Sequence, residues 1–300
     1  MICENCGYEY EGKFCPICRK NKVNGAMVAL FKAVLYSVFF VVVQFAVQFA
    51  FLMVKAFGAV LGGATDADAY DIVMDALYAN VCKMTALSSL VTILAVGLFF
   101  LVCKKSAARE VWLKPIPHVH VGLAVLFGAA LQIVISITVE FIPWPQPWID
   151  ALTELNDFIM VETLPWQIFA VVILGPITEE LIFRGLVYTR LRRATTPIVA
   201  ALLSGVAFGI VHGNMIQFFY AAALGVVLGL VMERYGSVLP CMIIHVLFNG
   251  ISFLPYYELE VGGLLALYVA CVLITVLCVY LIWFKKKDIR NGKESIDEII

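Results

Sequence analysis

The sequence predicts an all-α polytopic membrane protein with about eight transmembrane helices and both termini in the cytoplasm. Three observations lead there. The 300 residues are 62% hydrophobic and only 14% charged, with a mean hydropathy of +0.95. A soluble domain is about half apolar and a quarter charged, so this chain lacks the polar surface to cover soluble domains of its length. Apolar runs close to the roughly 20 residues that a spanning helix needs recur at eight places. Finally, the connections between them alternate in charge. The formal net charge of −1, from 21 basic and 22 acidic residues, gives no support for a nucleic-acid partner, and none is expected.

The amino terminus comes first. Cys3, Cys6, Cys15 and Cys18 form C-x2-C-x8-C-x2-C, with Gly7 and Pro16 beside the knuckles. Two such pairs in a short polar segment can offer four thiolates as a tetrahedron, a set that suits Zn²⁺. Residues 1–24 therefore read as a small structural zinc ribbon. Its thiolates need reducing surroundings, which places this end in the cytosol. Nothing resembling a signal peptide precedes it. Cys82, Cys103, Cys241, Cys271 and Cys278 lie in apolar runs and read as packing residues.

The eight apolar runs cover residues 32–54, 84–103, 119–142, 166–188, 197–212, 215–232, 238–254 and 262–284. The fifth and sixth are short and nearly fused. Basic residues cluster in the amino-terminal tail, after the second run (Lys104, Lys105, Arg109), after the fourth (Arg190, Arg192, Arg193), after the sixth (Arg234) and in the carboxyl tail. The intervening connections are acidic: Asp66 to Asp75, then Asp150 to Glu162, then Glu258 and Glu260. Positive residues stay inside, so the basic ends read as cytoplasmic. Residues 66–81 read as an amphipathic helix on the outer surface, and the Trp-rich stretch 143–148 as an outer interfacial anchor. The chain thus divides into the ribbon (1–24), two spans with an acidic outer loop (25–118), a six-span core (119–284) and a charged cytoplasmic tail (285–300).

Ionisable groups inside spans are costly and are functional candidates by default. Here they are Glu179, Glu180 and Arg184 in the fourth span, His212 ending the fifth, and His245 with Asn249 in the seventh. Residues four apart share a helix face, so Glu180 can pair with Arg184. Glu179 points about 100° away, without that cation. A carboxylate in low dielectric without a cationic partner is avid for a proton, which suits a general base. Pro176, one turn upstream, would loosen the helix and admit water. At 1.5 Å per residue, Glu179, His212, His245 and Asn249 lie roughly 12 to 22 Å from the basic ends of their helices, which points to one shared site. Gly225 and Gly229 read as a packing notch, while His118 and His120 sit at a cytoplasmic interface.

Glu179-Glu180-x3-Arg184, Phe208-x3-His212 and His245-x3-Asn249 resemble, in order, the three motifs of the CPBP intramembrane proteases. That family includes type II CAAX prenyl endopeptidases, bacteriocin-processing and self-immunity Abi proteins, and lysostaphin-resistance-like proteins. The resemblance covers residues 119–284, and it implies peptide-bond hydrolysis in a membrane cavity open to the cytosol. It further implies that Glu179, helped by His212, activates water, while His245 and Asn249 stabilise the oxyanion and Glu180, Arg184 and Phe208 support the site. The substrate would be a membrane-associated peptide or lipidated protein.

Other readings stay open from the sequence. Glu179, His212 and His245 could ligate a catalytic Zn²⁺, although no H-E-x2-H helix is present. A non-catalytic scaffold or immunity protein would keep the fold without the chemistry. A transporter would call for an inverted repeat that the sequence does not show. The expected location is a bacterial plasma membrane, and the ribbon is a candidate contact for a cytoplasmic partner.

Overall fold

The computed structural model describes residue 9 and residues 16–284, with side chains from residue 24 onward. Cys3, Cys6 and Cys15 and the tail 285–300 lie outside the described residues, and so does the side chain of Cys18. The regular elements are helices: α1 (Pro16–Leu61), α2 (Asp66–Tyr78), α3 (Val81–Val102), α4 (His118–Glu140), α5 (Gln146–Met160), α6 (Leu164–Arg192), α7 (Pro197–Ile210), α8 (Met215–Tyr235), α9 (Leu239–Ile251) and α10 (Val261–Trp283).

Among the described residues, five helices are long and apolar enough to cross a membrane: α1 from Asn24, α3, α4, α8 and α10. A sixth span is reached only by taking α5 and α6 together, and their axes turn by 116° at the break. This differs from eight separate spans for a simple reason of length. α7 and α9 have 14 and 13 residues, about 20 Å at 1.5 Å per residue, short of a hydrocarbon core of about 30 Å. The chain turns at His212–Asn214 after α7 and at Ser252–Phe253 after α9.

α6 is not uniform. Residues Ile168–Leu174 and Leu181–Tyr188 are π-helical and bracket an α-helical turn, Gly175–Glu180. α2 is the helix expected on 66–81. Thr65 caps it reciprocally: its side chain accepts from the Asp68 N–H, while the Thr65 N–H donates to the Asp68 carboxylate, the capping-box arrangement. α5, by contrast, falls where the sequence predicts only an acidic connection. Its apolar Leu152, Leu155 and Ile159 are spaced three and four apart, as on one helix face, but the acidic residues between them hid the pattern.

The bundle has a basic and an acidic end. At the basic end Arg192 makes a two-pronged pair with Glu233 (2.9 and 3.0 Å), and Tyr188 donates to the same carboxylate at 2.7 Å. Glu110, in the one-turn helix after α3, takes Arg190 at 2.6 Å, with Lys105 and Arg193 at 3.5 and 3.7 Å. Burial pushes the Glu110 carboxyl up, but Arg190, Lys105 and Arg193 outweigh it and hold the group below the ordinary carboxylate range. A depressed carboxylate stabilises the fold above its unfolded value and loses that contribution as pH falls through its folded value. Thermal unfolding of the wild type is therefore expected to become steeply acid-sensitive below the ordinary carboxylate range. Glu110→Gln should start less stable at neutral pH and lose less on acidification.

At the acidic end, Glu162 accepts from the first backbone N–H groups of α3, Cys82 at 2.6 Å and Lys83 at 3.2 Å. A carboxylate there satisfies otherwise orphaned donors and ties the α5–α6 corner to α3. Tyr78 of α2 stacks on Phe158 of α5 at 4.4 Å, and Trp144 and Trp148 pack against Phe219 at the start of α8.

One apolar core joins the first two spans to the rest: Phe40 of α1 meets Phe183 of α6 edge-on at 5.7 Å. Two close approaches set the helices that carry the polar residues. A Cβ at Gly225 would lie 2.7 Å from the Gly205 Cα and 3.1 Å from Arg184 Nη2, so the expected notch on α8 seats α7. On α4, a Cβ at Gly128 would overlap the Ile244 carbonyl oxygen and lie 3.0 Å from the Ile244 Cα. Backbone cannot yield there as a flexible side chain can. Gly128→Ala is therefore expected to push α9 outward, lowering the melting temperature and any activity that depends on His245 together; Gly122→Ala, which meets nothing within 4 Å, should leave both unchanged.

Candidate active site

Three helices bring the intramembrane polar groups to one cavity of about 620 Å³, whose lining includes Glu179, His212, His245 and Asn249. Beneath it lies the support. Glu180 and Arg184 are fully buried, with Arg184 Nη1 donating to Glu180 Oε1 at 2.9 Å. The guanidinium lies over the Phe208 ring, 4.5 Å from Cζ to the centroid. Such contact supplies charge stabilisation where water is absent. Phe208 also meets the rings of His212 and His245 edge-on, at 4.7 and 5.6 Å. The aromatic residue thus spaces the two imidazoles.

His245 is held between the two adjacent glutamates. Its Nδ1 donates to Glu180 Oε1 at 2.8 Å, and its Nε2 stands 3.7 Å from Glu179 Oε2. Glu180 Oε1 accordingly serves both Arg184 and His245. Spacing along the helix brings out the first partner but not the second, because His245 lies 65 residues away on another helix. A carboxylate on Nδ1 fixes the tautomer and orientation of the ring. Nε2 is left facing Glu179 and the cavity. Glu179 is the more accessible glutamate, its side chain 23% exposed against 0% for Glu180.

His212, just past the end of α7, has Nδ1 at 2.8 Å from the Phe208 carbonyl. Nδ1–H donates there, since a carbonyl only accepts, so the neutral ring keeps Nε2 as an acceptor. Asn249 donates one amide hydrogen to the Val171 carbonyl at 2.9 Å, within the π-helical stretch of α6; its second N–H is uncommitted by that bond. The cavity also holds uncharged polar groups that hydropathy does not single out, among them Gln132, Gln217 and Tyr220. His120 belongs elsewhere. It lies at the basic end, against Tyr235.

Among the described residues, no three His, Cys, Asp or Glu side chains converge as a metal-ligand set. His245 Nδ1 is occupied by Glu180, and Phe208 stands against both imidazoles. The alternative ligand trio Glu179, His212 and His245 shares the cavity without that convergence.

The cavity lies toward one end. Its lining comes from the first residues of α3 (Val81, Cys82), the last of α4 (Val139, Glu140), the inner face of α5, the start of α8 (Gln217) and the end of α9 (Ser252). These are the acidic ends of the helices. A cavity open to the cytosol and basic loops in the cytosol, both expected from the sequence, therefore do not hold together.

Comparison with known proteins adds the following. A family model described as Type II CAAX prenyl endopeptidase Rce1-like matches residues 161–251, the stretch from the start of α6 to the end of α9. The chain is 30% identical over 101 residues to the protein named "Putative membrane peptidase YdiL" of Bacillus subtilis (strain 168), a region making up 34% of this chain and 41% of that relative. The chain thus matches about two fifths of that relative's length. No solved structure matches.

Proposed function

We propose that this multi-pass membrane protein is an intramembrane endopeptidase that hydrolyses a peptide bond without a catalytic metal. The observation carrying this reading is the Glu180–His245–Glu179 arrangement: a buried carboxylate orients an imidazole whose other nitrogen faces a second, accessible carboxylate across 3.7 Å. Glu179 removes a proton from water, and the hydroxide attacks the carbonyl carbon. His212, accepting through Nε2, orients that water. The carbonyl oxygen gains the negative charge, and preorganised donors on His245 and Asn249 stabilise it, the kind of interaction that gives the largest rate effects in acyl transfer. The proton held by Glu179 then passes to the leaving amine nitrogen as the C–N bond breaks. The family match and the peptidase relative both support a membrane protease. The finer substrate class, a membrane-associated peptide or lipidated protein, belongs to the same proposal, as do a bacterial plasma membrane and cytoplasmic termini.

The test uses the full chain in lipid nanodiscs, incubated with a peptide library and read by mass spectrometry for new termini. New termini with the wild type and none with His245→Ala are expected. Equal patterns, or none with either, would favour the scaffold reading. We propose further that Cys3, Cys6, Cys15 and Cys18 hold one structural zinc ion. Elemental analysis should find about one zinc per chain in the wild type and none after Cys3→Ser with Cys6→Ser. Zinc retained in that double variant and lost on His212→Ala would instead make the site a metalloprotease.

A further inference from the structure

We infer that the chamber opens on the extracytoplasmic face and receives an internal segment of an exported or membrane-anchored polypeptide from that side. The sidedness stands on the fold and on where its basic residues gather; that the segment is cleaved there rests on the endopeptidase reading.

Three independent observations converge. The mouth is at the acidic end: Glu140, Asn156 and Ser252 line the cavity and are exposed. α5 lies across it, held by the Glu162 cap on α3, the Tyr78–Phe158 stack and the Trp144–Phe219 contact. The opposite direction is closed. Below Glu180 and Arg184 the space is filled by Ile182, Phe183, Tyr188, Leu228 and Val231, each 0% exposed. Past them the basic end is bolted by the Arg192–Glu233 pair and by Ser237 donating to the Lys114 carbonyl at 2.7 Å. A peptide strand has no passage through that layer.

The charges then set the direction. Lys104, Lys105, Arg190, Arg192, Arg193 and Arg234 are gathered at the closed end, and Lys/Arg-rich connections stay on the cytoplasmic side. The open end faces away from the cytosol.

The lining adds a statement about the substrate. It holds Glu140 and Glu179 and no Lys or Arg. A chain end bound inside would bring its free carboxylate into low dielectric beside two acidic groups, an uncompensated charge of the costly kind. A segment whose terminal carboxylate stays outside avoids that cost. The substrate class is thus an internal stretch of uncharged or basic residues, not a carboxyl-terminal tail inserted from the cytosol.

The experiment reads sidedness without turnover. Full-length Ser252→Cys and, separately, Asn156→Cys are expressed in a bacterial host. Spheroplasts are treated with a membrane-impermeant maleimide before or after lysis, and each cysteine is quantified by peptide mapping. Cys103, exposed at the basic end, is the internal reporter of the other side. Modification of the two mouth positions in intact spheroplasts, with Cys103 modified only after lysis, is the expected result. Mouth positions that react only after lysis, or Cys103 reacting together with them in intact spheroplasts, would overturn the proposal. Two variants guard against one misfolding. A peptidase with a cytoplasmic mouth would sink only the sidedness, whereas a correctly sided chamber without peptidase activity would sink only the endopeptidase reading.

Discussion

Glu179→Gln is expected to reduce peptide hydrolysis by about 10²- to 10⁴-fold, the range spanned by a positioned general base, while leaving the melting temperature close to that of the wild type. The amide keeps the size and polarity of the carboxylate but cannot take the proton of water. The fold should tolerate it, because the Glu179 side chain is partly exposed and sits 3.7 Å from His245 Nε2, beyond hydrogen-bond length. The fall should be in kcat more than in KM, since the interaction operates in the transition state. Purified variant and wild type, compared on one cleaved peptide with thermal unfolding in parallel, give the answer. Retention of more than about a third of the wild-type rate would remove Glu179 from the role of base.

The second large effect is on stability. Arg184→Ala should cost about 3 to 5 kcal/mol, as removal of one member of a buried ion pair does. It leaves the Glu180 carboxylate fully buried with His245 as its remaining partner, and takes a guanidinium off the Phe208 face. Replacing both charges behaves differently, because a buried pair exchanged for neutral groups of similar volume is often close to neutral in energy. Glu180→Gln with Arg184→Met is therefore expected to recover most of the lost melting temperature. Activity should not return with it, since His245 then lacks the carboxylate that orients its ring. A double-mutant cycle in unfolding and in turnover separates these outcomes. If Arg184→Ala unfolds at the wild-type temperature, the pair does not support the site.

Composition and charge alternation made the helical, membrane-embedded architecture legible, because both follow from the solvent and not from tertiary detail. Period-four spacing likewise brought out Glu180 with Arg184, Phe208 with His212 and His245 with Asn249, since each pair lies along one helix or, for His212, just past its end. Contacts between helices were not legible. Nothing in the spacing says that His245 turns its Nδ1 to Glu180, or that Asn249 donates to the Val171 carbonyl. The span count was least legible where helices are short: α7 and α9 are apolar, yet hold only 14 and 13 residues before the chain turns. α5 escaped because its acidic face dominates its composition, although Leu152, Leu155 and Ile159 carry the helical period.

The two π-helical stretches of α6 have a further consequence. An i→i+5 turn holds about one residue more than an i→i+4 turn, so Ile168–Leu174 and Leu181–Tyr188 act as a vernier on either side of the Glu179–Glu180 step. Forcing either stretch to ordinary α pitch with its residue count unchanged would swing everything beyond by one residue's turn, about 100°. Such a change within Ile168–Leu174 would keep the bundle's hydrophobic character while turning Glu179 away from His245. The angular setting of this helix, more than its length, is what the surrounding chain has to preserve.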